Sequence, residues 1–206
     1  MKQYPNITIS REYGSGGHEV GELVAKKLGL PFYDNELISM ASKDSGIAEK
    51  HFHEAELTAK SSFGFALGML GSGGQYGMPL NNQLYSIQAS LIRSIADQGP
   101  AVFVGRCADH ILRDYKPSLD IFIQCEDLNT RIHRVMRRNN ITESEARERI
   151  KMTDKCRSTY YSFYTGTKWG KRENHDLIID THHIGIEASA ELIALYAKGY
   201  CEKLEL

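Results

Sequence analysis

The opening stretch of the chain restricts its fold more than any other part. Asn6-Ile7-Thr8-Ile9-Ser10 alternates β-branched and polar side chains, the period-two pattern of a strand. Arg11 to Gly17 then turns on three glycines, and from His18 the period becomes helical, with Val20, Leu23, Val24 and Leu28 on one face. Gly29 and Pro31 stop that helix. In an open α/β sheet ligands bind beyond the carboxyl ends of the strands. A glycine turn there presents backbone N–H groups and the positive end of a helix dipole, a nest for phosphate oxygens. Gly14-Ser15-Gly16-Gly17 before His18 has this arrangement; a tight strand-to-helix turn without a ligand reads the same way.

The rest of the chain repeats the alternation. Extended Phe32-Tyr33-Asp34 leads to a helix from Asn35 to Ser42 with Asp34 available as its N-cap. Residues 44–62 are polar and helical in part, and six glycines among the apolar residues of 63–79 predict a mobile loop. A helix is expected over Asn82–Ala96, buried strands at Ala101–Val104 and Asp120–Cys125, and an arginine-rich helix over Leu128–Arg138. Thr142 and Glu145 form a capping box that opens a helix to about Arg157. Leu177–Ile179 is the last strand and Ile186–Tyr200 the closing helix, with Ile193, Ala197 and Tyr200 on one stripe. The expected class is α/β, one domain with a parallel sheet sandwiched by helices and two excursions, 35–98 and 139–175.

Two hundred and six residues suffice for one such domain and not for two. A formal net charge of -1 argues against bulk nucleic-acid or membrane-surface binding, so any anion site must be a local cluster. No stretch approaches the roughly 20 apolar residues of a membrane span. The N-terminus reads as a strand rather than a signal peptide, and Cys107, Cys125, Cys156 and Cys201 form no Cys-x-x-Cys pair; both point to the cytoplasm.

The turn departs from the P-loop rule Gly-x-x-x-x-Gly-Lys-Ser/Thr. Gly17 takes the lysine position, and Glu19 lies at or near the hydroxyl position, where it either ligates a metal itself or, with no metal between, repels a phosphate.

Residues 7–21, Ile-Thr-Ile-Ser-Arg-Glu-Tyr-Gly-Ser-Gly-Gly-His-Glu-Val-Gly, closely resemble the opening of the cytidylate kinase-like family. Further matches follow in order: Leu-Pro-Phe-Tyr-Asp ending at Asp34, Gly105-Arg106-Cys107-Ala108, Asp154-x-x-Arg157 before Tyr160-Tyr161, His175 to Thr181, and Gly185-Ile186-Glu187. The resemblance implies a Rossmann-like P-loop NTPase core, with 35–98 as a monophosphate-binding insertion and 139–175 as a lid. It also implies ATP as donor, magnesium as companion ion, and a nucleoside monophosphate such as CMP as acceptor. Against authentic cytidylate kinases the chain lacks the loop lysine and has Val104 where an acidic residue precedes Gly-Arg. A non-catalytic nucleotide-binding or regulatory protein, or a kinase with a non-nucleotide acceptor, are the other readings.

Phosphoryl transfer asks mainly for positioning and positive charge, and arginine's planar fork binds phosphate bidentately. The candidate catalytic residues are Arg157, Arg106 and Arg11, with Arg11 able to replace part of the missing lysine's charge. Gly14, Ser15, Gly16, Gly17, His18 and Glu19 are the candidate nucleotide-binding set, His18 through its backbone N–H. Asp34 and Arg106 are candidates for the acceptor. Arg131, Arg134 and Arg138 repeat at i, i+3 and i+7, and with Arg157 are the candidate lid contacts to phosphate. Asp34 either touches the acceptor or a magnesium-bound water, or caps a helix. Tyr160, Tyr161, Tyr164 and Trp169 read as lid packing or as a platform for a base, and Lys168, Lys171 and Arg172 as a basic loop. His51-x-His53 and His182-His183 place no third ligand, so no metal site is assigned. The expected partners are small nucleotide ligands, without nucleic acid or membrane; the oligomeric state is not legible.

Overall fold

The computed structural model describes residues 4–52 and 80–204. The elements in chain order are β1 (Asn6–Arg11), α1 (Gly17–Leu28), β2 (Phe32–Tyr33), α2 (Glu36–Ser45), α3 (Leu80–Gln98), β3 (Val102–Val104), α4 (Ala108–Leu112), β4 (Ser118–Gln124), α5 (Leu128–Asn139), α6 (Glu143–Thr165), β5 (Leu177–Asp180) and α7 (Thr181–Leu204). A 3-10 turn, Arg172–Asn174, precedes β5, and α7 is broken at Gly185, whose φ of 76° and ψ of 178° are not helical.

The five strands among the described residues are all parallel, in the order β2-β3-β1-β4-β5. β1 is central, paired with β3 from Ile7–Val102 to Ile9–Val104 and with β4 from Asn6–Ser118 to Arg11–Ile123. From β1 the chain goes to the edge at β2, returns to lay β3 between β2 and β1, and then crosses to β4 and β5 on the other side. The glycine turn after β1 therefore stands at the switch point, where neighbouring crossovers diverge and leave a crevice.

Alternation in β1 divides the core. Ile7 and Ile9, with Leu119, Ile121 and Ile123 of β4, pack against Val20 and Val24 of α1 and Ile193 and Ala197 of α7. On another flank Phe103 packs with Ile92 of α3 and Ile111 and Leu112 of α4. Ile38 and Ala41 of α2 meet Leu84 of α3, and Ile132 and Val135 of α5 meet Ala146 and Ile150 of α6. The 23-residue α6 is thus seated along much of its length.

Two local expectations need correction, and one short helix was not expected. The α2 N-cap is Asn35, without a side-chain cap bond, and the Asp34 carboxylate is directed elsewhere. The capping box at Thr142 and Glu145 is present, but α6 runs to Thr165 rather than Arg157, because Cys156, Tyr160 and Tyr161 continue its buried stripe. The short α4 carried too few residues for a visible period. The glycine-rich loop expected at 63–79, like His53, lies outside the described residues. Among the described residues no helix is long and apolar enough to cross a membrane.

Candidate functional site

At the carboxyl end of β1 the chain turns through Gly14 (φ 80°) and Gly16 (φ 87°), left-handed conformations that favour glycine, and enters α1. Ser15 is fully buried; its Oγ donates to Glu12 O at 2.9 Å, and its carbonyl accepts from Thr181 Oγ1 at 2.6 Å and Arg134 Nη1 at 3.0 Å. Its hydroxyl thus shapes the turn.

With Gly16 as the second glycine of the P-loop frame, Gly17 takes the lysine position, His18 rather than Glu19 the hydroxyl position, and Arg11 the first-glycine position. A Cβ on Gly17 would lie 2.5 Å from Arg11 Cβ and 2.9 Å from its Cγ. One on Gly105, itself at φ 76°, would lie 2.2 Å from Arg11 Nη1. Two glycines from distant parts of the sequence thus form the seat of one arginine. A side chain at 17 and the arginine at 11 exclude each other as placed.

Arg11 Nη2 lies 3.4 Å from Asp34 Oδ1, and His18 Nδ1 2.7 Å from Asp34 Oδ2. Asp34 is 4% exposed. Burial is the strongest influence on its carboxyl and raises the pKa. The His18 hydrogen bond and the charges of Arg11, His18 and Arg106 outweigh it, holding the group below the usual carboxylate range. The same bond raises the His18 pKa over the opposing effect of burial, with Glu22 and Glu19 adding to the rise. His18 stands edge-on to Phe32, with ring centroids 5.4 Å apart. The imidazole, which the sequence ranks below the backbone N–H of His18 as a contributor, is therefore a principal side chain of the cleft.

The arginines of the candidate set divide by environment. Arg131 turns inward: its Nε donates to Tyr13 O at 2.8 Å, its Nη2 pairs with Asp154, and its Nη1 lies 3.4 Å from Glu12 Oε2. Asp154 also accepts from Tyr13 N at 2.8 Å, and Glu12 from Cys125 N at 2.9 Å. Arg131 is therefore a brace tying α5, α6 and the turn together. Arg134, Arg138 and Arg157 line a cleft of about 210 Å³ with Arg11, Gly14, Gly16, Gly17, His18, Glu19 and Asp34. Arg157 Nη1 donates to Arg11 O at 2.9 Å, and its guanidinium lies over the Tyr13 ring, 5.6 Å from the centroid. Asp154 and Arg157, three residues apart, share one face of α6 and both grip the turn.

Arg106 stands behind this cleft. It follows Gly105 at φ 58° and precedes Cys107 at φ 56°, two non-glycine residues in the left-handed region at a cost of roughly 1–2 kcal/mol each. Cys107 is held there by packing with Tyr160 and Tyr161. Arg106 thereby faces a small gap shared with Arg11 and Arg157.

Tyr161 donates to Asp109 Oδ2 at 2.5 Å, Tyr164 donates to Asn81 O at 2.9 Å and stacks on Tyr85 at 4.0 Å, and Trp169 meets Phe122 edge-on. These aromatic residues pack α6 onto the body of the protein. All four cysteines are buried thiols, none in a disulfide. His182 and His183 lie beside Asp127 and Glu126 at the surface. Sequence reasoning missed Glu12 and Thr181, and ranked the imidazole of His18 below its backbone N–H. The i, i+3 spacing of Asp154 and Arg157 was the available sign that α6 grips the turn.

A cytidylate kinase of Methanothrix thermoacetophila is 32% identical over 89 residues, 43% of this chain and 49% of that protein. The matched part therefore spans about half the length of that curated relative. The crystal structure of an uncharacterized protein from Eubacterium ventriosum superposes with a TM-score of 0.72 at 28% identity, covering 94% of this chain and 98% of that one. A gluconokinase from Sinorhizobium meliloti superposes with a TM-score of 0.53 at 12% identity, covering 98% and 97%, a likeness of fold alone. The fold is that of the P-loop kinases. Residues 6–183, which hold every side chain of the cleft, match the cytidylate kinase-like family, and the chain belongs to that family.

Proposed function

We propose that this protein is an ATP-dependent phosphotransferase whose cleft holds the polyphosphate on the 14–18 turn, with Arg11 supplying the charge that the loop lysine supplies in the common frame. The observation that carries this reading is the seat of Arg11, whose side chain fills the space a residue at 17 would need. The cation is moved by six positions in sequence (17 − 11) and stays at the same turn. The backbone nest fits phosphate oxygens, and Arg134, Arg138 and Arg157 line the same cleft. Charge developing on the transferred group is best met by pre-placed guanidinium groups, the role assigned to Arg157.

Magnesium enters this reading with the nucleotide, as MgATP. Among the described residues no three His, Cys, Asp or Glu side chains are grouped to hold a metal ion. His18 stands where the frame has its magnesium-binding hydroxyl, and Asp34 is engaged by Arg11 and His18. Family membership makes a nucleoside monophosphate, CMP first, the acceptor to assay. A non-nucleotide acceptor is favoured by one observation, the His18–Asp34 pair. The segment 35–98 serves as the acceptor side and 139–175 as a cover, in a protein of the cytoplasm.

Calorimetric titration with MgATP tests the reading. Arg11→Ala should weaken binding by about 10–100-fold, the loss of one charge-assisted contact of about 1.5–3 kcal/mol. The exchange Arg11→Gly with Gly17→Lys should recover most of it. A wild-type protein that is folded and takes up no MgATP would end the proposal.

A further inference from the structure

Resting on the phosphotransferase reading, we infer that the atom phosphorylated in this cleft is a hydroxyl oxygen of a small anionic alcohol, with His18 as the base that takes its proton and Asp34 as the group that orients that base. The phosphate of a nucleoside monophosphate is already anionic at neutral pH, its second pKa being about 6, so it can attack without a base. A hydroxyl must lose its proton as its oxygen bonds to phosphorus, and a positioned imidazole is the usual means.

The cleft holds that means. Asp34 Oδ2 lies 2.7 Å from His18 Nδ1, so the neutral ring keeps its proton on Nδ1 and presents the Nε2 lone pair. Nε2 lies 3.5 Å from Oε1 of Glu22, an exposed side chain that can swing aside. His18 directly follows the glycine turn, so base and donor phosphate would share one cleft.

The charges facing the ring favour its protonated product. Glu19 and Glu22 come from its own helix and Asp34 from the end of β2, while Arg11 and Arg106 act on Asp34. Arg11, Arg106 and Arg157 line, together with Tyr160, Tyr161 and Trp169, a gap of about 30 Å³, room for a carboxylate-sized group and not for a nucleobase. An anionic group on the acceptor fits there.

The step balances. Nε2 takes the proton of R–OH, the oxygen bonds to the γ-phosphorus, and the bond from that phosphorus to the β–γ bridging oxygen breaks with its electron pair leaving on ADP. The imidazolium then returns its proton to solvent. The products are a phosphate monoester, ADP and one proton.

The test uses the full chain with MgATP, bound first by calorimetry. ADP release is then followed with glycerate, gluconate, glycerol and CMP, and with water alone as the ever-present hydroxyl acceptor. Phosphorus NMR distinguishes ester from anhydride. The expected result is an ester from the hydroxy acids, at a rate that rises with pH through the His18 pKa and then levels. His18→Asn should lower kcat at least about 100-fold, change MgATP affinity less than about threefold, and abolish the rising limb. His18→Gln, which removes the base and leaves Asp34 and Arg11 paired, gives a second variant in case the first fails to fold. Conversion of CMP to CDP faster than any ester forms would overturn the inference. So would a preference for glycerol over the hydroxy acids, a rising limb that survives in His18→Asn, or bound ATP transferred neither to an alcohol nor to water. Failure to bind MgATP is a different outcome, and removes the phosphotransferase reading beneath it.

Discussion

Asp34 and Asp120 are two aspartates of nearly equal burial, 4% and 8% exposed, and the protein treats them oppositely. Asp34, at the carboxyl edge of the sheet, is held below the usual range: burial raises it most, but His18, Arg11 and Arg106 together prevail. Asp120, on β4 opposite Thr8, is pushed up to about 7. Burial is again the largest effect. The bonds from Thr8, at 2.7 Å, and from Ser118 oppose it too weakly, while Asp109 and Asp176 add to the rise. Burial does not decide whether a carboxylate keeps its charge; the sign of the neighbours does. The fold gathers cations at the switch-point cleft, where an anion must work, and leaves a raised pKa on the aspartate whose hydrogen-bond partners are hydroxyls and whose charged influences are other acids.

The sharpest way to break this comparison is to neutralise each aspartate in turn. Asp34→Asn leaves Arg11 and His18 beside an amide in a buried setting. It should destabilise the protein by about 3–5 kcal/mol at pH 7, the cost of breaking a buried pair. Because the folded pKa of Asp34 is depressed, its contribution is present above the unfolded value near 3.8 and is lost as pH falls through the lower folded value. The gap between wild type and variant in urea denaturation should therefore narrow as pH falls below the unfolded value.

Asp120→Asn should act with the opposite sign. A raised folded pKa favours the protonated form, so wild-type stability declines from about pH 4 to about pH 7 and is level above. The variant removes that decline and should gain about 2 kcal/mol over wild type at pH 8, with no gain at pH 3.5. Thermal melts across this range check it; a variant that loses stability at pH 8 would mean that Thr8 and Ser118 compensate the charge after all.

The smallest effect sharpens the boundary between the two regions. Tyr161→Phe removes the hydroxyl that donates to Asp109, on a residue that lines the small gap with Arg11, Arg106 and Arg157 but not the cleft at the nucleotide turn. It should cost about 1–2 kcal/mol of stability and leave MgATP affinity unchanged within twofold. A larger change in affinity would show that the aromatic seat of α6 and the cleft are coupled through Cys107 and Arg106.

Much of the fold was legible in the sequence because periodicity reports local dihedrals and burial directly. The alternation of Asn6 to Ser10, the helical stripe of Val20, Val24 and Leu28, and the capping box at Thr142 all appear where expected. The errors arose where packing overrode a local sign. Asp34 has the right residue type and place for a cap, but the tertiary pairing with His18 takes its carboxylate. The full length of α6 was hidden because Tyr160 and Tyr161 gain their burial from Cys107, a residue on another element. In the site, Arg131, Arg134 and Arg138 look alike in sequence, yet one turns in to Asp154 and Glu12 while two line the cleft. Their spacing placed them near one another, and only their neighbours separated their tasks.

By itself, the sequence determined that a strand, a glycine turn and a helix would open the chain, and that parallel strands would alternate with helices behind it. Those features depend on residues within a few positions of each other. Only the tertiary structure decided that Arg11 would lie across Gly17 and Gly105, that His18 and Asp34 would share a hydrogen bond, and that Asp120 would be left among acids. Each depends on which distant strand ends meet, because electrostatic energy in a buried site is set by distance between charges in space and not by separation along the chain.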